Sequence, residues 1–185
     1  MSVTQRSAIL QPVLLPRVNA LVLLRLAQPD DDERLRRMFF RLSAVTRYQW
    51  FFIGAPGTPQ WAERVAALAA ADEDERVTVV ALMGDEIVGV AHLDRTRSDG
   101  RHAEIGVLLE DAWQGRGLGS LLARRLATEA MQRQTLTLTA RTLAENHSAL
   151  RLMLSTFIAA HAHYDQGEYD IVAPLAAWEI MSMWE

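Results

Sequence analysis

The sequence predicts an α+β fold with one mixed β-sheet flanked by helices. Three observations predict it. Three strand-like runs follow one another between Val77 and Leu109. Elsewhere, helix-like and strand-like segments do not alternate one for one, as a doubly wound fold would need. The chain has 185 residues, half of them hydrophobic and 23% charged, which suits one domain that buries a continuous core.

Residues 1–19 read as an N-terminal extension and residues 20–185 as one domain. Residues 20–26 (ALVLLRL) are strand-like. Asp30 with Glu33, just after Pro29, predicts a helix start of the capping-box kind. Leu35, Met38, Phe39 and Leu42 then fall on one helical face. Residues 47–52 read as an aromatic loop that ends in Gly54, Pro56 and Gly57. Thr58 before Pro59 predicts a second helix, reaching about Ala71. Residues 77–83 and 86–93 flank Gly84-Asp85, a hairpin signal. Arg97-Ser98-Asp99-Gly100 predicts a turn into a third strand over 103–109. A glycine-rich loop leads to a helix over 117–133, with Leu118, Leu121, Leu122, Leu126 and Ala130 facing the core. A strand over 135–142, a short helix over 146–156 and two strands about Asp165-Gln166-Gly167-Glu168 complete the order.

Composition narrows the function. There is no cysteine, so a disulfide framework, an iron–sulfur site and a cysteine nucleophile are excluded together. The net charge of −4 argues against a nucleic-acid partner, which normally meets a basic face. All 19 basic residues are arginine, so no Schiff base can form on a lysine of this chain. No run is long and apolar enough to cross a membrane, and residues 1–26 lack an uninterrupted apolar core, so the expected location is the cytoplasm. His161 and His163 would share one face of a strand, but no further ligands stand at compatible spacing, and no metal is expected.

The strongest chemical signal is Gln114-Gly115-Arg116-Gly117-Leu118-Gly119-Ser120, between a predicted strand and a predicted helix. Its glycines let backbone approach a ligand closely. N–H groups at the helix start, aided by the helix dipole, favour an anion. The physical inference is a phosphate or pyrophosphate cradle. The spacing G-x-G-x-G is not the dinucleotide fingerprint, and a P-loop would need a lysine. A glycine-rich helix start that binds nothing would show the same letters.

The longer phrase Glu104-Ile-Gly-Val-Leu-Leu-Glu-Asp-Ala-Trp-Gln-Gly-Arg-Gly-Leu-Gly-Ser-Leu-Leu resembles the acetyl-CoA-binding core of the GNAT N-acetyltransferases. Gln114, Gly117 and Gly119 supply the signature R/Q-x-x-G-x-G/A. Leu143-Ala-Glu-Asn146, before a short helix ending at Phe157, is similar to a second family segment. Phe40-Arg-Leu-Ser43 and Arg47-Tyr48-Gln-Trp-Phe51-Phe52 resemble a stretch of bacterial Pat-type protein lysine acetyltransferases. Ala103-Glu104 matches the start of that group's central strand.

The resemblance implies a GNAT fold with a splayed central strand pair for CoA. It implies transfer of an acetyl group from acetyl-CoA to a primary amine, expected to be a protein lysine, by direct attack in a ternary complex. Val107, Leu108 and Leu109 would run along the pantetheine arm. The backbone of Gln114, Gly115, Arg116, Gly117, Leu118, Gly119 and Ser120 would hold the pyrophosphate. A strand N–H, that of Val107 or Leu108, would polarise the thioester carbonyl. A lysine ammonium has a pKa of about 10.4, so a base is needed, and Glu104 is the candidate, directly or through a water. Asn146 would approach the cofactor or serve as an ordinary N-cap, and both roles are compatible. Tyr48, Trp50 and Phe51 are candidates for the acceptor wall, with plain core packing the alternative. Where relatives place a tyrosine acid soon after Gly-Phe, this chain has Thr156-Phe157-Ile158, and only Ser155 and Tyr164 are nearby candidates. Two other readings stand beside this one: a small-amine acetyltransferase acting on a polyamine, an amino acid or an aminoglycoside, and a non-catalytic acyl-CoA-binding module. The expected assembly is a monomer or homodimer.

Overall fold

The computed structural model describes residues 11–15, 19–70, 75–96 and 100–176. Along the chain come β1 (Gln11–Leu15), β2 (Ala20–Leu26), α1 (Asp32–Arg41), α2 (Ala44–Phe51), α3 (Pro59–Ala66), β3 (Arg76–Met83), β4 (Glu86–Arg95) and β5 (His102–Leu109). Then follow α4 (Leu118–Gln132), β6 (Thr137–Leu143), α5 (His147–Thr156), β7 (His161–Asp165) and β8 (Glu168–Pro174). The strands form one mixed sheet in the order β1-β2-β3-β4-β5-β6-β8-β7. This is the α+β architecture that the run of strands predicts.

Alternation along the strands sends side chains to two separate cores. Ala91 and Leu93 of β4 and Ala103 and Ile105 of β5 pack with Leu118, Leu122 and Leu126 of α4 and Met153 of α5. Val80, Val90 and Leu108 point the other way, to Leu35, Met38 and Phe39 of α1 and Val65 of α3. Helix α4 is amphipathic, with Leu118, Leu122, Leu126 and Ala130 fully buried and Leu121 partly so.

Every strand pair is antiparallel except β5 with β6. Their ladder covers only His102, Ala103 and Glu104 opposite Thr137, Leu138 and Thr139. Beyond it the two strands part. Each keeps its other partner along its length: β5 holds β4 as far as Leu109, and β6 holds β8 from Thr137 to Leu143. The sheet is therefore forked, with Glu104 as the last residue of β5 paired with β6.

Local elements depart from expectation: the helix from Pro59 ends at Ala66 and not near Ala71, the capping box pairs Gln28 with Asp31 and not Asp30 with Glu33, and two larger departures follow. The aromatic stretch expected as a loop is helical. Ser43 Oγ caps α2 by accepting from the Thr46 N–H at 3.1 Å, and Phe52 ends the helix at φ 63°. Both capping hydroxyls donate to Asp111, 65 or more residues away, so the decisive partner is invisible to a local reading. Gln11–Leu15, read as part of an extension, forms β1 against β2. Pro12 is tolerated there because β1 is an edge strand, where a missing N–H costs no ladder bond. Residues 1–10, 16–18 and 177–185, and most of the turn expected at 97–100, lie outside the described residues.

One buried ion pair closes the start of α1. Asp31 is fully buried, and its carboxylate accepts from Arg25 Nη1 at 2.5 Å and Nη2 at 2.7 Å. It also accepts from the Gln28 N–H at 2.8 Å. Arg25 is itself only 8% exposed. The acidic run at 30–33 reads simply as a helix N-terminus in the sequence, but one of its members is a buried counter-ion.

Candidate active site

The fork opens a cavity of about 310 Å³ that reaches both faces of the sheet. From one face come Ile105 and Val107 of β5 and Ala140 and Thr142 of β6, with Asn146 and Met153 at α5. From the other come Glu104, Gly106, His92 and Arg141, with Gln49, Trp50 and Phe52 from α2 and its C-cap. An unbroken sheet would have walled these two groups apart.

Past Glu104 the β5 edge that faces the fork has no strand partner, so alternate N–H and C=O groups of residues 105–109 are left for a ligand. Thr142 Oγ1, in the same wall, is buried without a hydrogen-bond partner. An extended amide-bearing arm would satisfy both. At the far end of β5 the loop expected as a phosphate cradle has the geometry such a cradle needs. Gly115 and Gly117 hold φ values of 69° and 93°, and no atom lies within 4 Å of where a Cβ would stand on either. Gly117 is the N-cap of α4, so N–H groups of Leu118, Gly119 and Ser120 begin the helix without intrahelical acceptors. Leu118 itself is fully buried and anchors that first turn. Arg116 stacks over Trp113, with Cζ 5.9 Å from the ring centre.

Asp111 ties this loop to α2. It accepts from the Ser43 N–H at 2.9 Å, Ser43 Oγ at 2.6 Å and Thr46 Oγ1 at 2.8 Å. Burial pushes its carboxyl up, but these donors outweigh it and hold the group below the usual carboxylate value. Gln114 Nε2 completes the brace, donating to Thr46 Oγ1 at 3.1 Å and to the Leu109 carbonyl at 3.3 Å.

The expected residues distribute as follows. Glu104, Val107, Asn146 and Trp50 line the cavity. Asn146 also caps α5, its Oδ1 accepting from the Ala149 N–H at 3.1 Å. Leu108 is buried in the core beneath α1, and Leu109 packs against the α4 core, so both offer backbone only. Tyr48 is partly exposed and outside the cavity wall. Phe51 packs edge-on to Trp61 at 4.7 Å, also outside the wall. Ser155 and Tyr164 are exposed and do not line the cavity. Sequence reasoning missed His92, Gly106 and Arg141. A lone glycine inside a strand is the one signal that marks Gly106, since it advertises close approach of another group. A Cβ there would overlap His92 Cε1 and stand 2.9 Å from Trp50 Cη2.

Two ionisable side chains, Arg141 and His92, line the Glu104 face of the cavity. Arg141 donates to Asp170 at 2.9 Å, which with nearby Glu168 and Glu104 pushes its guanidinium pKa up and keeps the local charge balanced. His92 is 14% exposed and packs edge-on to Trp50, ring centres 5.4 Å apart. Burial pushes its imidazole down to about 4, against the pull of Asp94 and with the push of Arg76. The folded state thus refuses a proton that the unfolded chain accepts from pH 6.5 downward. Stability is complete above about 6.5 and falls as pH drops to about 4, by about 3 kcal/mol in all at 1.36 kcal/mol per unit. Urea midpoints at pH 7 and pH 4 should therefore differ more for wild type than for His92→Gln. Equal differences would show that His92 does not titrate this way.

Among the described residues, no group of His, Asp or Glu is arranged to hold a metal, and no helix is long and apolar enough to cross a membrane. The family pattern described as "Acetyltransferase (GNAT) domain" matches residues 22–156. No curated protein matches by sequence. Among solved structures, the GNAT domain of S. lividans PAT is similar at 24% identity and TM-score 0.80, over 90% of this chain and 97% of that one. The aminoglycoside acetyltransferase AAC(6')-Ib in complex with coenzyme A is similar at 19% identity and TM-score 0.68, over 87% and 99%. A cAMP-binding acyltransferase from Mycobacterium smegmatis is similar at 20% identity and TM-score 0.63, over 90% of this chain but 47% of that one.

Proposed function

Because the chain belongs to the GNAT acetyltransferase family, we propose that it moves an acetyl group from acetyl-CoA to a primary amine, with a protein lysine as the acceptor. The observation that carries this reading is the fork: its cavity joins an arm-shaped cleft on one face to an open, carboxylate-bearing site on the other. The likeness to the S. lividans PAT domain, over nearly all of both chains, supports a protein acceptor.

The glycine cradle at 114–120 and the unpaired β5 edge fit coenzyme A, which supplies an acyl group activated as a thioester. This chain's residues do the rest. The exposed Glu104 carboxylate stands at the mouth of the fork, where it takes the proton from the acceptor's ammonium, directly or through a water. The freed nitrogen forms the new N–C bond as the C–S bond breaks. Backbone alternation turns the Val107 N–H to the fork and the Leu108 N–H to β4, so Val107 offers the fixed dipole to the carbonyl oxygen as it gains charge. The thiol has a pKa of about 8.5, so it leaves as thiolate without a dedicated acid, consistent with Ser155 and Tyr164 lying outside the cavity.

Thiol release from acetyl-CoA against a lysine peptide, a polyamine, a free amino acid and an aminoglycoside tests the reading. Fastest turnover on the peptide is expected. A small amine as best acceptor would move the assignment to small-molecule acetylation. Tight CoA binding with no turnover on any acceptor would make the chain a binding module.

A further inference from the structure

We propose that the edge-to-face pair Trp50–His92, closed over Gly106, is the wall that limits the transferred group to acetyl. The inference rests on the acyl-transfer reading above and adds the residues that measure the acyl chain.

The placement follows from the strand register. Glu104 and Gly106 lie two residues apart on β5 and face the same side of the sheet, roughly 7 Å from each other. The carbonyl under attack must lie within bonding reach of the amine that Glu104 deprotonates. With the Val107 N–H facing its oxygen, it sits between Glu104 and Val107, level with Gly106, where the fork emerges on this face. Arg141 and Asp170 are exposed on this face, so an acceptor has an open approach from their side. The acyl tail is left the other direction, toward Gly106.

Two rings stop it there. His92 lies directly opposite Gly106 across the β4–β5 ladder. Trp50 reaches over from α2 on a different layer. A Cβ on Gly106 would stand 2.9 Å from Trp50 Cη2 and 3.0 Å from His92 Nδ1, so the rings already fill the space above this glycine. The two ring planes meet edge to face at 80°. His92 Nδ1 is shut off from solvent and has no hydrogen-bond partner, which suits a packed wall and not a working base. The groups facing the ring are Asp94 and Arg76, which bond each other, and Glu104 at the cavity mouth. Burial keeps the imidazole neutral above about pH 4, so the wall carries no charge near neutrality. Glycine at 106 is then needed because any side chain would collide with the rings.

The test is kcat/KM with acetyl-, propionyl- and butyryl-CoA, using the best acceptor from the panel, for wild type, Trp50→Ala, Trp50→Leu and His92→Ala. A closed apolar wall penalises each added methylene about 10- to 200-fold, so wild type should lose at least about tenfold per step. Each variant should raise the butyryl-to-acetyl ratio by about tenfold or more. Partial unfolding lowers all three rates alike and leaves the ratio unmoved, so the ratio reads the wall alone. Trp50→Leu keeps apolar packing should the alanine variant fail to fold. Wild type that uses butyryl-CoA as well as acetyl-CoA would overturn the inference, as would variants with unchanged ratios. A shift in one ring's variants alone would assign the wall to that ring and overturn the pair. Consumption of no thioester would overturn the transfer reading itself.

Discussion

Glu104→Gln should lower kcat by roughly 10²- to 10⁴-fold and leave the KM for acetyl-CoA nearly unchanged. The substitution keeps the size and shape of the side chain. It removes only the capacity to accept a proton. In the proposed binding mode the cofactor is held by backbone at 105–109 and at 114–120, none of which the change touches. The split between kcat and KM is therefore the diagnostic. A structural role at the end of the β5–β6 ladder would instead lower stability and raise KM for both substrates. Steady-state kinetics at several pH values, with a lysine peptide as acceptor, checks the expectation. Wild-type kcat throughout would remove Glu104 from the mechanism.

Asp31→Ala should destabilise the fold by about 3–5 kcal/mol, the usual cost of leaving a buried charge without its counter-ion. Arg25 is 8% exposed and directs both terminal nitrogens at Asp31, so it cannot turn to water in the variant. The Gln28 N–H would lose its acceptor as well. Urea denaturation at neutral pH measures the loss. Replacing both partners with apolar residues of similar volume should recover most of it, because the cost lies in the orphaned charge. A loss under about 1 kcal/mol for Asp31→Ala would mean that Arg25 finds another partner. By contrast, the arginines of α1 that meet Asp85, Glu63 and Glu86 lie near the surface, where each pair contributes little.

What was legible in the letters follows the range of the interaction. Helix α4 announces itself through leucine spacing, and the β3–β4 hairpin through Gly84-Asp85, because both signals are local. The loop at 114–120 was readable because positive φ and an open backbone leave glycine little competition. Helix α2 was not readable. Its aromatic residues have weak helix propensity, and its cap is fixed by Asp111 from a distant loop. The Glu104 face of the cavity was half readable: the resemblance points to Glu104, whereas His92 and Gly106 come together only because register sets one opposite the other. Phe51 and Phe52 show the same limit. One turns into the core and its neighbour lines the cavity, and nothing in the pair of letters tells them apart.

As a mechanical object, the sheet is two stiff plates joined by a short weld. One plate holds the first five strands and the other the last three, and only three residues on each side are stitched together. Helix α4 braces one plate and α5 leans on the other, touching near the cavity. Compliance must concentrate at such a seam. On the proposed reading, coenzyme A lodged across it would act as a strut between the two plates, so the same contacts that seat the substrate would also stiffen the scaffold that must align it.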